Sequence, residues 1–74
     1  MKPAMNYYGV RWGRVIKIER ATNPRAACKQ AFGQATTDMQ IKLLTSDAAD
    51  LRRPRKVTAL LGSPESWSFL PPSL

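Results

Sequence analysis

The sequence predicts a small α+β domain: a two-layer sandwich with one antiparallel or mixed sheet of three to five strands and one main helix on one face. The expected order is β-β-α-β-(short α)-β-(β). Three observations predict it. Aromatic and β-branched residues alternate with charged ones over residues 6–20. A segment with both helix caps follows, TNPRAACKQAFG. Two alternating runs, MQIKLLT and RKVTALL, occupy the second half.

Residues 6–20 carry Tyr8, Val10, Trp12, Ile16 and Ile18 at even positions, and Tyr7, Gly9, Arg11, Lys17 and Glu19 at odd ones. Successive strand residues face opposite sides of a sheet. Two hairpins fit. A two-residue turn at Gly13-Arg14 sets Val10 opposite Lys17 and mixes apolar with charged residues. A three-residue loop, Gly13-Arg14-Val15, pairs Trp12 with Ile16, Val10 with Ile18 and Tyr8 with Arg20. The second keeps the apolar residues on one face and is the expected form. One long strand bent at Gly13 has the same parity but exceeds the usual strand length of about 3–10 residues.

Asn23 is a good N-cap, Pro24 suits the first helical position and Gly33 suits a left-handed C-terminal cap. Ala27, Cys28, Ala31 and Phe32 form the apolar stripe between them. Met39–Thr45 reads as a strand with Met39, Ile41 and Leu43 on one face. Ser46–Arg53 reads as a short helical turn, its acids early and its arginines late as the macrodipole favours. Arg55–Leu61 reads as another strand with Val57, Ala59 and Leu61 on one face. Trp67 and Phe69 alternate with serines in a last edge strand. Residues 1–70 thus read as one basic domain and 71–74 as a Pro-rich tail.

At 74 residues the chain is one domain at most. A domain of this size buries about 60% of its unfolded surface and is marginal alone. Disulfides or a metal often help such domains. Cys28 is the sole cysteine and histidine is absent. No intramolecular disulfide and no ordinary Cys/His zinc site can be built. Self-association, or membership of a larger assembly, is the remaining support.

The same absences bear on chemistry. Without histidine there is no Ser-His-Asp or Cys-His pair, and Cys28 has no evident base. Asp47 and Asp50 read as cap and first-turn charges rather than paired catalytic or metal-binding carboxylates. No glycine-rich phosphate cradle occurs. The expectation is a non-enzymatic protein with no catalytic residue, no metal and no cofactor. No run is apolar enough to span a bilayer. The N-terminus lacks the apolar core of a secretory signal. A cytoplasmic location is expected.

The positive signal is charge. The chain carries 12 Lys+Arg against 5 Asp+Glu, a net +7. Residues 1–35 balance at +6, residues 36–51 at −2 and residues 52–74 at +3. The densest zone is RRPRK: Arg52, Arg53, Arg55 and Lys56 flank Pro54, which should keep the segment out of a helix. Arg11, Arg14 and Lys17 form a second zone on the hairpin. Such cations can contact successive phosphates of a nucleic acid or nucleoprotein. A solvated charged loop is the plainer alternative for RRPRK. Trp12 could stack on bases, but parity places it in the core. Trp67 and Phe69 would either close the core or anchor a partner. The functional expectation is a basic binding protein for nucleic acid or nucleoprotein. The alternative is a protein-interaction module, small inhibitor or accessory subunit that docks its basic face on an acidic partner surface.

Overall fold

The computed structural model describes residues 4–72. The last two residues of the expected tail and the first three of the domain lie outside them. The chain forms four strands, β1 (Asn6–Trp12), β2 (Val15–Ala21), β3 (Gln40–Thr45) and β4 (Ser68–Phe69), and two α-helices, α1 (Pro24–Phe32) and α2 (Pro54–Leu61). Short 3₁₀ turns cover Ala48–Arg52 and Pro64–Ser66. The strands make one sheet in the order β2-β1-β3-β4, with every neighbouring pair antiparallel. The expected α+β class stands, with α1 as the main helix on one face.

Helix α1 forms as its caps dictate. The Asn23 side chain accepts a hydrogen bond from the Ala26 amide at 2.8 Å, and Pro24 opens the first turn. Gly33 takes the left-handed conformation at φ 76°, and its amide donates to the Lys29 carbonyl. Ala27, Cys28 and Ala31 are buried. Their small side chains let the helix approach the sheet, where Tyr8, Val10, Ala21, Met39 and Leu70 complete the core. The Phe32 ring meets Trp12 edge-on, with centroids 5.4 Å apart.

The hairpin differs from expectation. The connection is the two-residue turn Gly13-Arg14, with Trp12 opposite Val15, Val10 opposite Lys17 and Tyr8 opposite Glu19. Gly13 alone in the turn has positive φ, 63°. That is the requirement of a type II′ hairpin, whose twist matches the strands. Ile16 and Ile18 therefore leave the α1 face, where Lys17 and Glu19 replace them. The mixed face is stable because Lys17 reaches over the core edge. Its ammonium donates to the Ala31 carbonyl at 2.8 Å and lies 4.9 Å from the Phe32 ring centroid. A lysine can bury its stem while its charge finds carbonyls at a helix C-terminus.

The second difference is Arg55–Leu61, expected as a strand and found within α2. Pro54 starts the helix instead of preventing it, since the first helical residue needs no amide hydrogen. Val57, Leu60 and Leu61 recur at helical spacing and are the half-buried positions of α2. Strand alternation through Val57, Ala59 and Leu61 fits nearly as well over so short a run, but Ala59 is exposed.

Helix α2 packs on β3, on the sheet face opposite α1. Lys42 projects from that face and donates to the Leu61 carbonyl and, at 3.1 Å, to the Ser66 hydroxyl. The Trp67 indole donates to the same Leu61 carbonyl at 2.8 Å. The helix C-terminus is thus held by a cation and an indole. The six-membered ring of Trp67 lies against Gly9, where a Cβ would collide with it. A bulge between Tyr7 and Tyr8 lets β3 turn its end, Leu44 buried and Leu43 exposed.

Candidate anion-binding surface

The RRPRK segment bridges two elements. Thr45 ends β3, and its hydroxyl donates to the Asp50 carboxylate at 2.7 Å while accepting the Asp47 amide. Asp47 caps the 3₁₀ turn by accepting the Ala49 amide at 2.9 Å. Both carboxylates are spent on local backbone and hydroxyl donors, as short polar side chains at turn starts commonly are. No group of three or more His, Cys, Asp or Glu residues among the described residues is placed to hold a metal ion.

The turn delivers Arg52 directly into α2. Arg53 is the N-cap residue of that helix, in extended conformation at φ −107°, and its side chain makes no capping bond. Pro54 follows at the first position, and the first turn holds no acidic residue. Arg52, Arg53, Pro54, Arg55, Lys56 and Ala59 line one open concavity. The five residues from Arg52 to Lys56 are all exposed. Within α2, Arg55 and Lys56 lie four and three residues before Ala59 and share a side with it, while Arg52 and Arg53 reach the same concavity from the preceding 3₁₀ turn and the cap.

The electrostatics of this end run against the helix. A helix N-terminus carries about half a positive charge and favours acids, each worth roughly 0.3–1 kcal/mol. Here four cations crowd it without an acid or an oxygen cap. The opposite end of α2 has its favourable cation in Lys42. First-turn amides, a helix dipole and guanidinium groups in one place are the combination that suits an anion.

The hairpin cations do not form one patch. Arg11 lies on the Trp67 side of the sheet and its guanidinium donates to the Gly13 carbonyl at 3.3 Å. Arg14 is exposed in the turn. Lys17 is on the α1 side, engaged by Ala31 and Phe32. The reason is the two-residue turn, which reverses the parity of β2 relative to the expected loop. The RRPRK cluster follows Thr45, which pairs with Tyr7 near one end of β1, whereas Arg14 lies beyond the other end. The sheet separates the two zones.

Trp67 and Phe69 also part company. Trp67 is 8% exposed and closes the second sheet face, whereas Phe69 is 63% exposed at the β4 edge. Trp12 packs on Phe32 and donates its indole hydrogen to Asp38 at 3.0 Å. Asp38 accepts from Thr36 as well, and these two bonds, Thr36 first, hold its carboxyl below the usual value. Burial pushes the Cys28 thiol up, against a smaller downward pull from Arg25.

Sequence reasoning missed Lys42 as the C-terminal clasp of α2 and Gly9 as the seat of Trp67. Gly62 after a Val57, Leu60, Leu61 spacing was the available signal for a helix that needs such a clasp. No described helix is long and apolar enough to cross a membrane. No family model, no curated protein and no solved structure matches this chain.

Proposed function

We propose that this chain is a non-enzymatic basic binding protein that grips the phosphates of a nucleic acid or nucleoprotein with Arg52, Arg53, Arg55 and Lys56. The observation that carries the reading is the uncompensated start of α2. Four exposed cations surround a helix N-terminus that has neither an acid in its first turn nor a side-chain cap. A locally unfavourable arrangement with no internal compensation is where function is expected. A phosphate supplies the missing negative charge, accepts from the amides and pairs with guanidinium forks. These contacts are to backbone phosphates and position the protein without reading sequence. Arg14, and Arg11 beside it, extend the basic field at the far end of the sheet. Lys17 contributes charge but keeps its amine on Ala31.

A protein partner with an acidic surface is the second reading, and the exposed Phe69 ring favours it as an aromatic anchor near a basic domain. Titration of duplex and single-stranded oligonucleotides across a salt series separates the two. Phosphate binding gives log K falling with log salt at about −0.9 per phosphate neutralised on duplex DNA. Neutralising all four cations to glutamine should weaken binding across all sequences and flatten the slope. Absent affinity at low salt, or affinity without a slope, defeats the nucleic-acid reading. Capture of an acidic protein that survives nuclease treatment and depends on Phe69 supports the second.

A further inference from the structure

The two edges of the sheet are built differently. On one side β4 is two residues long and gives way to Pro71 and Pro72. On the other, β2 runs seven residues in unbroken register with β1 and contains no proline. Edge strands are usually kept from pairing by prolines, bulges, short length or exposed charges. The only lysine in β2, Lys17, is drawn inward to Ala31.

The hairpin fixes which groups this edge displays. Across a two-residue turn Trp12 and Val15 are the hydrogen-bonded pair, so Lys17, Glu19 and Ala21 also point their amides and carbonyls at β1. Those of Ile16, Ile18 and Arg20 point outward. The Gln30 side chain confirms the phase, since it donates to the outward-facing Arg20 carbonyl at 2.9 Å, an oxygen whose second lone pair can accept from a partner strand. Ile16 and its neighbour Val15 are each 49% exposed.

We infer that β2 is a self-association edge whose occupant is the β2 strand of a second copy, paired antiparallel about a two-fold axis at Ile18. Charge selects this register. With Ile18 opposite its own copy, Lys17 of each chain faces Glu19 of the other, whose carboxylate can take one of the two ammonium hydrogens that Ala31 leaves free on this exposed side chain, and Ile16 faces Arg20. Centring one residue earlier, on Lys17, would set lysine against lysine and Arg14 against Arg20. The Ile18 register makes isologous contacts that close as a dimer with one eight-stranded sheet. It goes beyond the anion site, whose gripping residues Arg52, Arg53, Arg55 and Lys56 lie at the start of α2 and not on β2. The two also respond oppositely to salt. Phosphate binding weakens as salt rises, whereas two copies of net charge +7 associate better when their repulsion is screened.

Sedimentation equilibrium of the full chain, at about 0.3 M salt to shorten the screening length to several ångströms, tests the interface over a broad protein range. The expected result is concentration-dependent conversion of an 8.3 kDa monomer to a dimer. E19K alone and K17E alone should remain monomeric, because each sets like charges across the axis. Their equimolar mixture should form a heterodimer, because every cross-strand pair is again opposite in sign. A wild-type monomer throughout, an E19K protein that dimerises like wild type, or a mixture that stays monomeric overturns the proposal. If circular dichroism shows that K17E does not fold, Ile18→Cys replaces that arm. Paired Cα atoms at a hydrogen-bonded site are about 5.5 Å apart, within disulfide range. Oxidation should then give a covalent dimer with Ile18→Cys and none with Tyr7→Cys; equal crosslinking of both refutes the register.

Discussion

Replacing Gly9 by alanine adds one methyl group to the middle of β1. Gly9 does not have positive φ, so alanine is compatible with the backbone. The space is not available. A Cβ there would lie 2.5 Å from Cη2 of Trp67, 3.1 Å from Cζ3 and 3.3 Å from Cζ2. Ordinary carbon contacts are about 3.5–4.0 Å, so the ring must retreat by roughly 1 Å. Retreat pulls on the indole bond to the Leu61 carbonyl, 2.8 Å long, and through it on the C-terminus of α2. Overpacking of this kind costs about 1–3 kcal/mol. Removing glycine from the unfolded chain returns about 0.4–1 kcal/mol. The expected net is a destabilisation of about 1–2 kcal/mol. In a domain of this size each kcal/mol shifts Tm by about 4–8 °C, so G9A should melt roughly 5–15 °C below wild type. Thermal unfolding by far-ultraviolet circular dichroism reads the shift. The control is Trp67→Phe, which removes the six-membered ring that Gly9 accommodates. Against that background Gly9→Ala should be neutral or stabilising. A G9A protein as stable as wild type, or the same loss in both backgrounds, would refute the close approach of Trp67 to β1.

Arg53→Asp separates folding from binding. It supplies the oxygen cap that α2 lacks, worth about 1 kcal/mol, trimmed by the nearby Asp50 carboxylate. Tm should rise by a few degrees while oligonucleotide affinity falls; a gain or loss in both together would contradict the assignment. Asp38 should make stability pH-dependent. Its carboxyl is held below the ordinary value of 3.8 by Thr36 and Trp12. A carboxylate with a depressed folded pKa stabilises the fold above its unfolded value and loses that contribution as pH falls through the folded one. Denaturant titrations of wild type and Asp38→Asn should therefore differ near neutral pH and converge on acidification below that value; parallel curves would exclude the linkage. Cys28 is fully buried and its thiol is pushed up. Labelling by a thiol-specific reagent at mildly alkaline pH should be slow in the native protein and fast in denaturant, and fast native labelling would show that α1 opens.

Much of the fold is local and was legible. The Asn23–Pro24 start, the Ala27–Cys28–Ala31 stripe and the Gly33 end of α1 are short-range signals, each fixed by a few neighbouring bonds. The β3 segment and the α+β class follow from spacing alone. The candidate site was half legible. RRPRK is evident as a run of cations, but a run does not say whether those cations diverge along a strand or converge at a helix end.

Sequence by itself determined the core roles of Tyr8, Val10, Met39 and the Ala27–Cys28–Ala31 stripe, the caps of α1, the polarised charge and the absence of histidine chemistry. Tertiary structure decided the rest where two local choices were nearly equal. The hairpin loop could hold two or three residues. Pairing by apolar pattern favoured three, but contacts from Lys17 to Ala31 and Phe32, remote in sequence, make the two-residue form acceptable. Residues 55–61 fit two periods, and the choice of helix rests on Lys42 and Trp67 gripping its last carbonyl while its half-buried side meets β3. Those stabilising groups come from 19 and 6 residues away. A local pattern cannot register them, because their free energy exists only once the sheet has brought the segments together.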